Sequence, residues 1–297
     1  YHELCFSYKN YMPELPEVEV VKRSLEKKIQ NLIIKKVKIN DGNLRYKVDK
    51  DKAQKLPGKK IQKIYRRSKF LIFKIDQTCS MLVHFGMTGK FFFIDNKKIK
   101  HKTSFYYNLN EKKDNKHDRV IFIFRNNQKL IYNDIRKFGF IKFFNLNNNN
   151  IFHLNKLGPE PLKKDYNLNY LRKYISKRKR TIKDILMDQR CVSGLGNIYV
   201  NEILFLSRIK PTRQVTDLKN FEINKIVKNT KKVLKIAIKH GGSSIKNFSN
   251  DDGNKGDFQQ HFNVYGKKGE KCSNIDCNQI IIRVVISNRA TFFCKRC

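Results

Sequence analysis

Four cysteines near one end set the tightest constraint on this chain. They stand as Cys272-x4-Cys277 and Cys294-x2-Cys297, two close pairs with sixteen residues between them. Each pair suits a tight turn, and a hairpin brings the two turns together. Four thiolates then meet one Zn²⁺ tetrahedrally with no open position, so the single ion per chain is structural. A hairpin this short buries too little core to fold alone, and metal binding supplies much of its folding free energy. Arg283 and Arg289 lie on the same hairpin and suit a phosphate-facing strand pair. The remaining cysteines, Cys5, Cys79 and Cys191, are scattered and form no disulfide framework. Residues 1–10 lack the apolar centre of a secretion signal. A reducing, cytoplasmic setting is expected.

Upstream of the module the pattern changes twice. Val18, Val21, Leu25, Ile29 and Leu32 recur at helical spacing, with Pro16 and acidic residues where a helix start tolerates them, so a helix follows Pro13 almost at once. From about 33 to 144 the runs are short and β-like, for example Phe70–Ile75, Lys90–Ile94, Val120–Phe124, Lys129–Tyr132 and Phe138–Phe144, separated by turn signals such as Asp41-Gly42 and Pro57-Gly58. Many strands and few helices predict a sandwich or barrel. Residues 145–163, with an Asn tract at 147–150, read as a linker. Residues 165–240 read as helical, ending in a long amphipathic element through Leu218, Phe221, Ile226, Val233 and Ile236 that stops at Gly241-Gly242. A polar loop over 249–257 precedes the cysteine module.

Charge points to the partner. Lys and Arg number 64 and Asp and Glu 26, a formal net charge of +38. With 22 Phe and 13 Tyr available for a core, the chain is no disordered polycation. Such a surface suits a polyanion, with nucleic acid ahead of a membrane. An AT-rich genome that inflates Lys, Asn and Ile accounts for part of it. No stretch approaches the roughly 20 apolar residues of a membrane span.

The other chemical feature is Met12-Pro13-Glu14-Leu15-Pro16-Glu17. Residues 1–12 read as an upstream extension ending in an initiator Met. If translation starts at Met12, methionine removal exposes the Pro13 nitrogen as a secondary amine. An α-amino group has a pKa near 8, so roughly a tenth is free base at neutral pH. Such an amine can attack a sugar C1′ or a carbonyl and lose water to an iminium, in the manner of a catalytic lysine. Glu14 beside it can serve as general acid and base. With residues 1–11 attached, the nitrogen is an amide and no nucleophile.

These residues resemble the formamidopyrimidine-DNA glycosylases, the bacterial 8-oxoguanine glycosylase/AP lyases. The N-terminal hexapeptide is similar to that family's opening signature. Cys272-x4-Cys277 followed by Asn288-Arg289-Ala290-Thr291-Phe292-Phe293-Cys294-x2-Cys297 resembles its zinc-finger signature. The resemblance covers residues 12–297. It implies an α+β multidomain fold: an N-terminal catalytic β-sandwich over 13–144, a helix–two-turn–helix DNA-binding domain with a lesion-capping loop over 164–257, and a C-terminal β-hairpin zinc finger over 258–297.

The implied activity is base-excision repair of oxidised purines by glycosidic hydrolysis and AP-lyase strand cleavage. The implied partner is double-stranded DNA with oxidised bases or abasic sites, met by a monomer in the cytoplasm at the nucleoid. Pro13 is the implied Schiff-base nucleophile and Glu14 the acid/base. Lys69 matches the proton donor for β-elimination and Arg289 the residue assigned to δ-elimination; both equally suit phosphate contacts. His84, His117, Arg136, Arg180, Lys183 and Asn197 are implied DNA contacts. Met87, with Arg136 and Phe138, resembles the set that fills the hole left by an extruded base. Two positions depart from the family's pattern: Ile135 stands where Pro is frequent, and Asp257 precedes Phe258 where Tyr or Thr is usual.

Two other readings compete. With residues 1–11 retained, the chain is a DNA-binding zinc-finger protein without catalysis. A ribosome-associated or RNA-binding zinc-ribbon protein also fits the charge, though it leaves Pro13-Glu14 without a role.

Overall fold

A computed structural model describes residues 12–96, 100–102, 115–145, 151–243 and 258–297. The expectations for residues 1–11, the Asn tract and the 249–257 loop with Asp257 lie outside them. The described residues form two compact units. One runs to Ile151 and takes in residues 241–243; the other comprises 152–240 and 258–297.

The first unit opens with helix α1, Leu15–Ile29. A capping box starts it: the Glu14 side chain accepts from the Glu17 backbone N–H, and the Glu17 side chain accepts from that of Glu14. Val18, Val21, Leu25 and Ile29 are buried, so the expected helical stripe is the face that meets the core. Leu32 lies past the helix end and packs against the same core. Two antiparallel sheets follow, built from β1 (Ile34–Ile39), β2 (Lys63–Arg67), β3 (Phe70–Lys74), β4 (Ser80–His84), β5 (Lys90–Ile94), β6 (Lys100–Lys102), β7 (Asp118–Phe124), β8 (Lys129–Asn133) and β9 (Phe140–Phe144). One sheet has the order β1-β7-β8-β5-β6 and the other β2-β3-β4-β9. A short helix α2, Lys50–Gln54, packs beside β1.

The two sheets and α1 share one core. Phe91, Phe122, Phe124 and Tyr132 come from one sheet, Ile64, Leu71, Phe73 and Ile141 from the other. This is the expected sandwich. The strand expected from Phe138 begins only at Phe140, because Phe138 stands on the preceding turn and is 45% exposed.

The second unit contains α3 (Phe152–Asn155), α4 (Leu168–Ile175), α5 (Ile182–Met187), α6 (Asn197–Ser207), α7 (Asn220–Lys239) and the hairpin β10 (Ile281–Ile286) with β11 (Arg289–Cys294). One helical turn, α3, thus falls inside the stretch read as a linker. Helix α6 is apolar nearly all round, since α5, α7 and β11 all pack on it. Helix α7 buries Ile223, Ile226, Val227, Val233, Leu234 and Ala237 and stops before Gly241, whose φ of 75° is a left-handed terminus. Two residues depart from the expected apolar face: Leu218 lies before the helix starts, and Phe221 is 57% exposed.

No described helix is long and apolar enough to cross a membrane.

Candidate functional site

In the first unit the candidate chemistry gathers at the start of α1. Pro13 is buried, and Glu14 is 4% exposed. The capping box holds Glu14 in place: its N–H donates to Glu17 Oε2 at 3.0 Å. The other Glu17 oxygen, Oε1, accepts from Ser243 N and Ser243 Oγ, each at 2.8 Å. One buried carboxylate therefore fixes both the residue after Pro13 and the chain at 243. Gly242 makes room for it with φ +82°; a Cβ there would stand 3.0 Å from Glu17 Oε1. The sequence reading took Glu17 as part of a signature and missed this duty.

Lys69 sits in the turn joining β2 to β3, after Ser68, whose φ of 56° is left-handed. A polar chain fixes that turn to α1. Glu19 on α1 accepts from Arg66 Nε at 2.8 Å, and Arg66 Nη1 donates to the Ser68 carbonyl at 3.0 Å. Arg66 and Glu19 hold the backbone beside Lys69, a role that spacing did not reveal, because they are 47 residues apart.

A second cluster joins the turns 85–89 and 134–139. Asp134 is fully buried and organises both. Its carboxylate accepts from Thr88 Oγ1 and, at 2.9 Å, from Gly139 N. Thr88 Oγ1 in turn accepts from Arg136 N at 2.9 Å. Burial pushes the Asp134 carboxyl upward, against the pull of the Thr88 and Gly139 donors. Arg119 donates Nε to the Asp134 carbonyl at 2.9 Å, and its other nitrogens reach His117 Nδ1 and Asp41 Oδ2 at 3.1 and 2.8 Å. His84 Nδ1 accepts from Gly86 N at 3.1 Å, and its ring stacks on Phe140 with centroids 5.5 Å apart.

This network holds together His84, Met87, His117, Arg136 and Phe138, five of the residues selected from the sequence. Met87 is half-buried in its turn. The Arg136 guanidinium lies 4.7 Å from the centroid of the Phe138 ring, a cation–π pair on an exposed turn. The turns touch closely enough to demand glycine. A Cβ on Gly139 would sit 1.9 Å from Tyr132 Oη, and one on Gly89 2.5 Å from the same atom. Gly139→Ala is expected to destabilise the first unit by about 2 kcal/mol or more, read by urea unfolding. An unchanged midpoint would mean that the two turns separate freely.

In the second unit Arg180 is exposed and reaches Asp188 Oδ2 at 3.1 Å. Asp188 also takes two hydrogen bonds from the Arg190 guanidinium, at 3.0 and 2.8 Å, and these contribute most to holding its carboxyl down at about 2. Asn197 Nδ2 donates to the Ala290 carbonyl at 2.8 Å, which ties α6 to β11. Asn201 Oδ1 accepts from Phe292 N at 2.8 Å in the same seam.

Lys183 departs from the DNA contact that the resemblance implied for it. It is 1% exposed, and its ammonium donates to Thr291 Oγ1. Thr291 Oγ1 in turn donates to the carbonyl of Arg289 at 3.1 Å. Lys183 thus supports the backbone of Arg289 from inside. Burial lowers its amine to about 8, with Arg289 acting in the same direction. In the unfolded chain the amine keeps its proton up to 10.5. Between these values the unfolded state binds more protons, so stability rises with pH through that window. The gain is on the order of 3 kcal/mol for a shift of this size. Lys183→Met should flatten that rise in thermal unfolding measured from pH 7.5 to 10.5; a parallel profile would contradict a buried charged amine.

The four cysteines of the module converge. Their Sγ atoms all lie within 4.8 Å of one another, with Cys272–Cys297 at 3.9 Å and Cys277–Cys294 at 3.5 Å. Sulfurs bound at about 2.3 Å to one tetrahedral Zn²⁺ stand roughly 3.8 Å apart, so the donor set and its size fit zinc. The two turns that carry them flank the β10–β11 hairpin. Beside it Glu202, 1% exposed on α6, accepts from the backbone N–H groups of Asn263, Val264 and Tyr265 at 2.8–3.0 Å. A buried carboxylate that no motif signalled thus anchors the approach to the module.

Comparison with known proteins gives matching results. Residues 12–141 match the formamidopyrimidine-DNA glycosylase N-terminal domain, and residues 157–249 match the H2TH domain of the same family. A formamidopyrimidine-DNA glycosylase of Rickettsia massiliae is 40% identical over 286 residues, 96% of this chain and 97% of that protein. One from Wolbachia pipientis is 39% identical over the same length, 96% of this chain and 99% of that protein. Among solved structures, a Lactococcus lactis Fpg point mutant bound to DNA containing Fapy-dG superposes with a TM-score of 0.82 at 35% identity, covering 95% of this chain and 98% of that one. Lactococcus lactis Fpg with abasic-site DNA gives 0.81 at 34% identity, covering 95% and 97%.

Proposed function

Because this chain belongs to the formamidopyrimidine-DNA glycosylase family, a family of DNA-repair glycosylases, we propose that it excises oxidised purines from duplex DNA and then cuts the strand at the abasic site through a covalent imine on Pro13. The observation that carries this reading is the capping box. It fixes Glu14 at the head of α1, directly beside the nitrogen that would attack.

The steps follow from the residues. The free Pro13 nitrogen attacks C1′ of the damaged nucleotide as the N-glycosidic bond breaks, and the departing base takes a proton. Glu14 protonates the ring oxygen as the deoxyribose opens, leaving an iminium at C1′. The iminium acidifies C2′, and loss of that proton expels the 3′-phosphate; a second elimination expels the 5′-phosphate. Lys69 and Arg289 supply positive charge to those phosphates, and Lys69 can also pass a proton. An arginine with a pKa above 12 serves better as a clamp than as an acid. Met87, Arg136 and Phe138 fill the place of the extruded base. The partners of the Lactococcus structures, Fapy-dG and abasic-site DNA, are the lesion classes assigned to this chain. The cysteines hold one structural Zn²⁺, which keeps the Arg289 strand in shape.

The chemistry requires an unacylated Pro13. Borohydride reduction of a protein beginning at Pro13, mixed with 8-oxoguanine duplex, should yield a covalent adduct, and mass spectrometry should place it on Pro13. A protein with residues 1–12 attached should yield none. Absence of adduct from the Pro13 form would end the lyase assignment.

A further inference from the structure

The outer face of α7 carries a feature that the repair reaction does not use. Phe221, Lys225, Lys228, Lys232, Lys235 and Lys239 are all exposed. Their spacing is 4, 3, 4, 3, 4. At 3.6 residues per turn these six positions fall within an arc of about 80°, and the stripe from Lys225 to Lys239 is about 21 Å long. The arc is opposite the buried stripe of Ile223, Ile226, Val233 and Ala237. None of the five lysines is in an ion pair among the described residues, and the one acid of the helix is Glu222 in its first turn. Lys225 Nζ stands 5.3 Å from the centroid of the Phe221 ring, so the stripe begins with an exposed aromatic under a cation.

Like charges at i, i+3 and i, i+4 destabilise a helix. Five in unbroken register work against α7 unless something neutralises them. The stripe also faces away from the hairpin side of the unit. Helix α6 packs against β11 and against α7, and the lysines stand on the side of α7 remote from its buried face. Duplex lying along Arg289 and the hairpin is thus separated from the stripe by two helices.

We propose that this face of α7 is a second docking surface for duplex DNA. It would grip the phosphate backbone of a segment other than the one under repair. Charge complementarity commits it to that occupant. A duplex presents one phosphate per about 3.4 Å of each strand, so a stripe of about 21 Å spans about six base pairs and meets phosphates of both strands as they wind past. An extended row of ammonium groups suits a regular polyanion and reads no sequence. The consequence is one molecule joining two stretches of DNA, which favours transfer between them during a search.

The test counts duplexes. Wild-type protein is titrated with undamaged duplex DNA of roughly twelve base pairs, twice the reach of the stripe, and stoichiometry is read by analytical ultracentrifugation. Two duplexes per chain are expected at low salt. A variant with Lys→Gln at 225, 228, 232, 235 and 239 should bind one, since glutamine keeps helix propensity. On the wild type, the weaker binding phase should lose affinity with salt at a log–log slope of about −4.5, five contacts at about 0.9 each. A control with Lys→Gln at 36, 38, 47, 50 and 55, all exposed on the first unit, should still bind two. One duplex on the wild type, two on the stripe variant, or equal loss in the control would each overturn the proposal. So would a second site that takes duplex RNA and refuses DNA. Excision of 8-oxoguanine by the stripe variant reads the repair function separately, so that either claim can fail alone.

Discussion

Glu14→Gln should slow single-turnover excision of 8-oxoguanine by about a hundredfold or more, the range of positioned acid–base groups. The binding of duplex carrying a stable abasic analogue should change by less than about threefold. The two outcomes separate because glutamine keeps the acceptor that the Glu17 N–H requires, so the start of α1 survives while proton transfer is lost. Circular dichroism and the unfolding midpoint should stay near wild type. If excision and affinity fall together, Glu14 is mainly a helix cap, and the acid–base role is wrong. Trapping of preformed abasic sites should fall less than excision of the intact base, since that substrate arrives with its glycosidic bond already broken.

The second large effect concerns the cysteine module. Withdrawal of metal by a chelator, or Cys294→Ser, should melt residues 272–297. The apparent binding free energy of structural zinc is of order 10 kcal/mol at neutral pH, more than a two-stranded hairpin can replace. The loss spreads inward, because Thr291, Ala290 and Phe292 are the partners of Lys183, Asn197 and Asn201. Three polar groups on α5 and α6 then lose their hydrogen bonds. Hydrogen exchange should show protection lost over Ile281–Cys294 first, while α7 and the sandwich stay protected. Lesion-duplex affinity should drop at least tenfold, with Arg289 no longer held. Protection that persists with less than one metal in ten chains would contradict a metal-dependent hairpin.

What could be read from the residues was whatever is local. The cysteine spacing, the helix after Pro13 and strands such as Lys90–Ile94 are written in a few consecutive positions. β1 and β2 fall inside the stretch read as β-like but are hard to pick out singly, because lysines and arginines alternate with their apolar residues on solvated faces and dilute the β signal. β4 is similarly faint, because Ser80 and His84 bracket a run of only three apolar residues. Phe221 was misplaced because an exposed aromatic looks like a core residue at helical spacing. The hidden part of the site is long-range. Glu17 meets Ser243 across 226 positions, Glu19 meets Arg66, and Lys183 meets Thr291 across 108. No periodicity marks such pairs. Lys183 shows the cost: the resemblance implied a DNA contact, whereas its burial makes it a prop for the strand that carries Arg289.

The turns 85–89 and 134–139 are cut to one another's length. Asp134 ties each to the other, and Tyr132 leaves clearance only for hydrogen at Gly89 and Gly139. An inserted or deleted residue in either would shift its tip past its neighbour and part Met87 from Arg136 and Phe138. Transplanting the Met87 turn from a relative therefore calls for exchanging both turns in a single cassette. Homologues should accordingly change the lengths of these two segments in step.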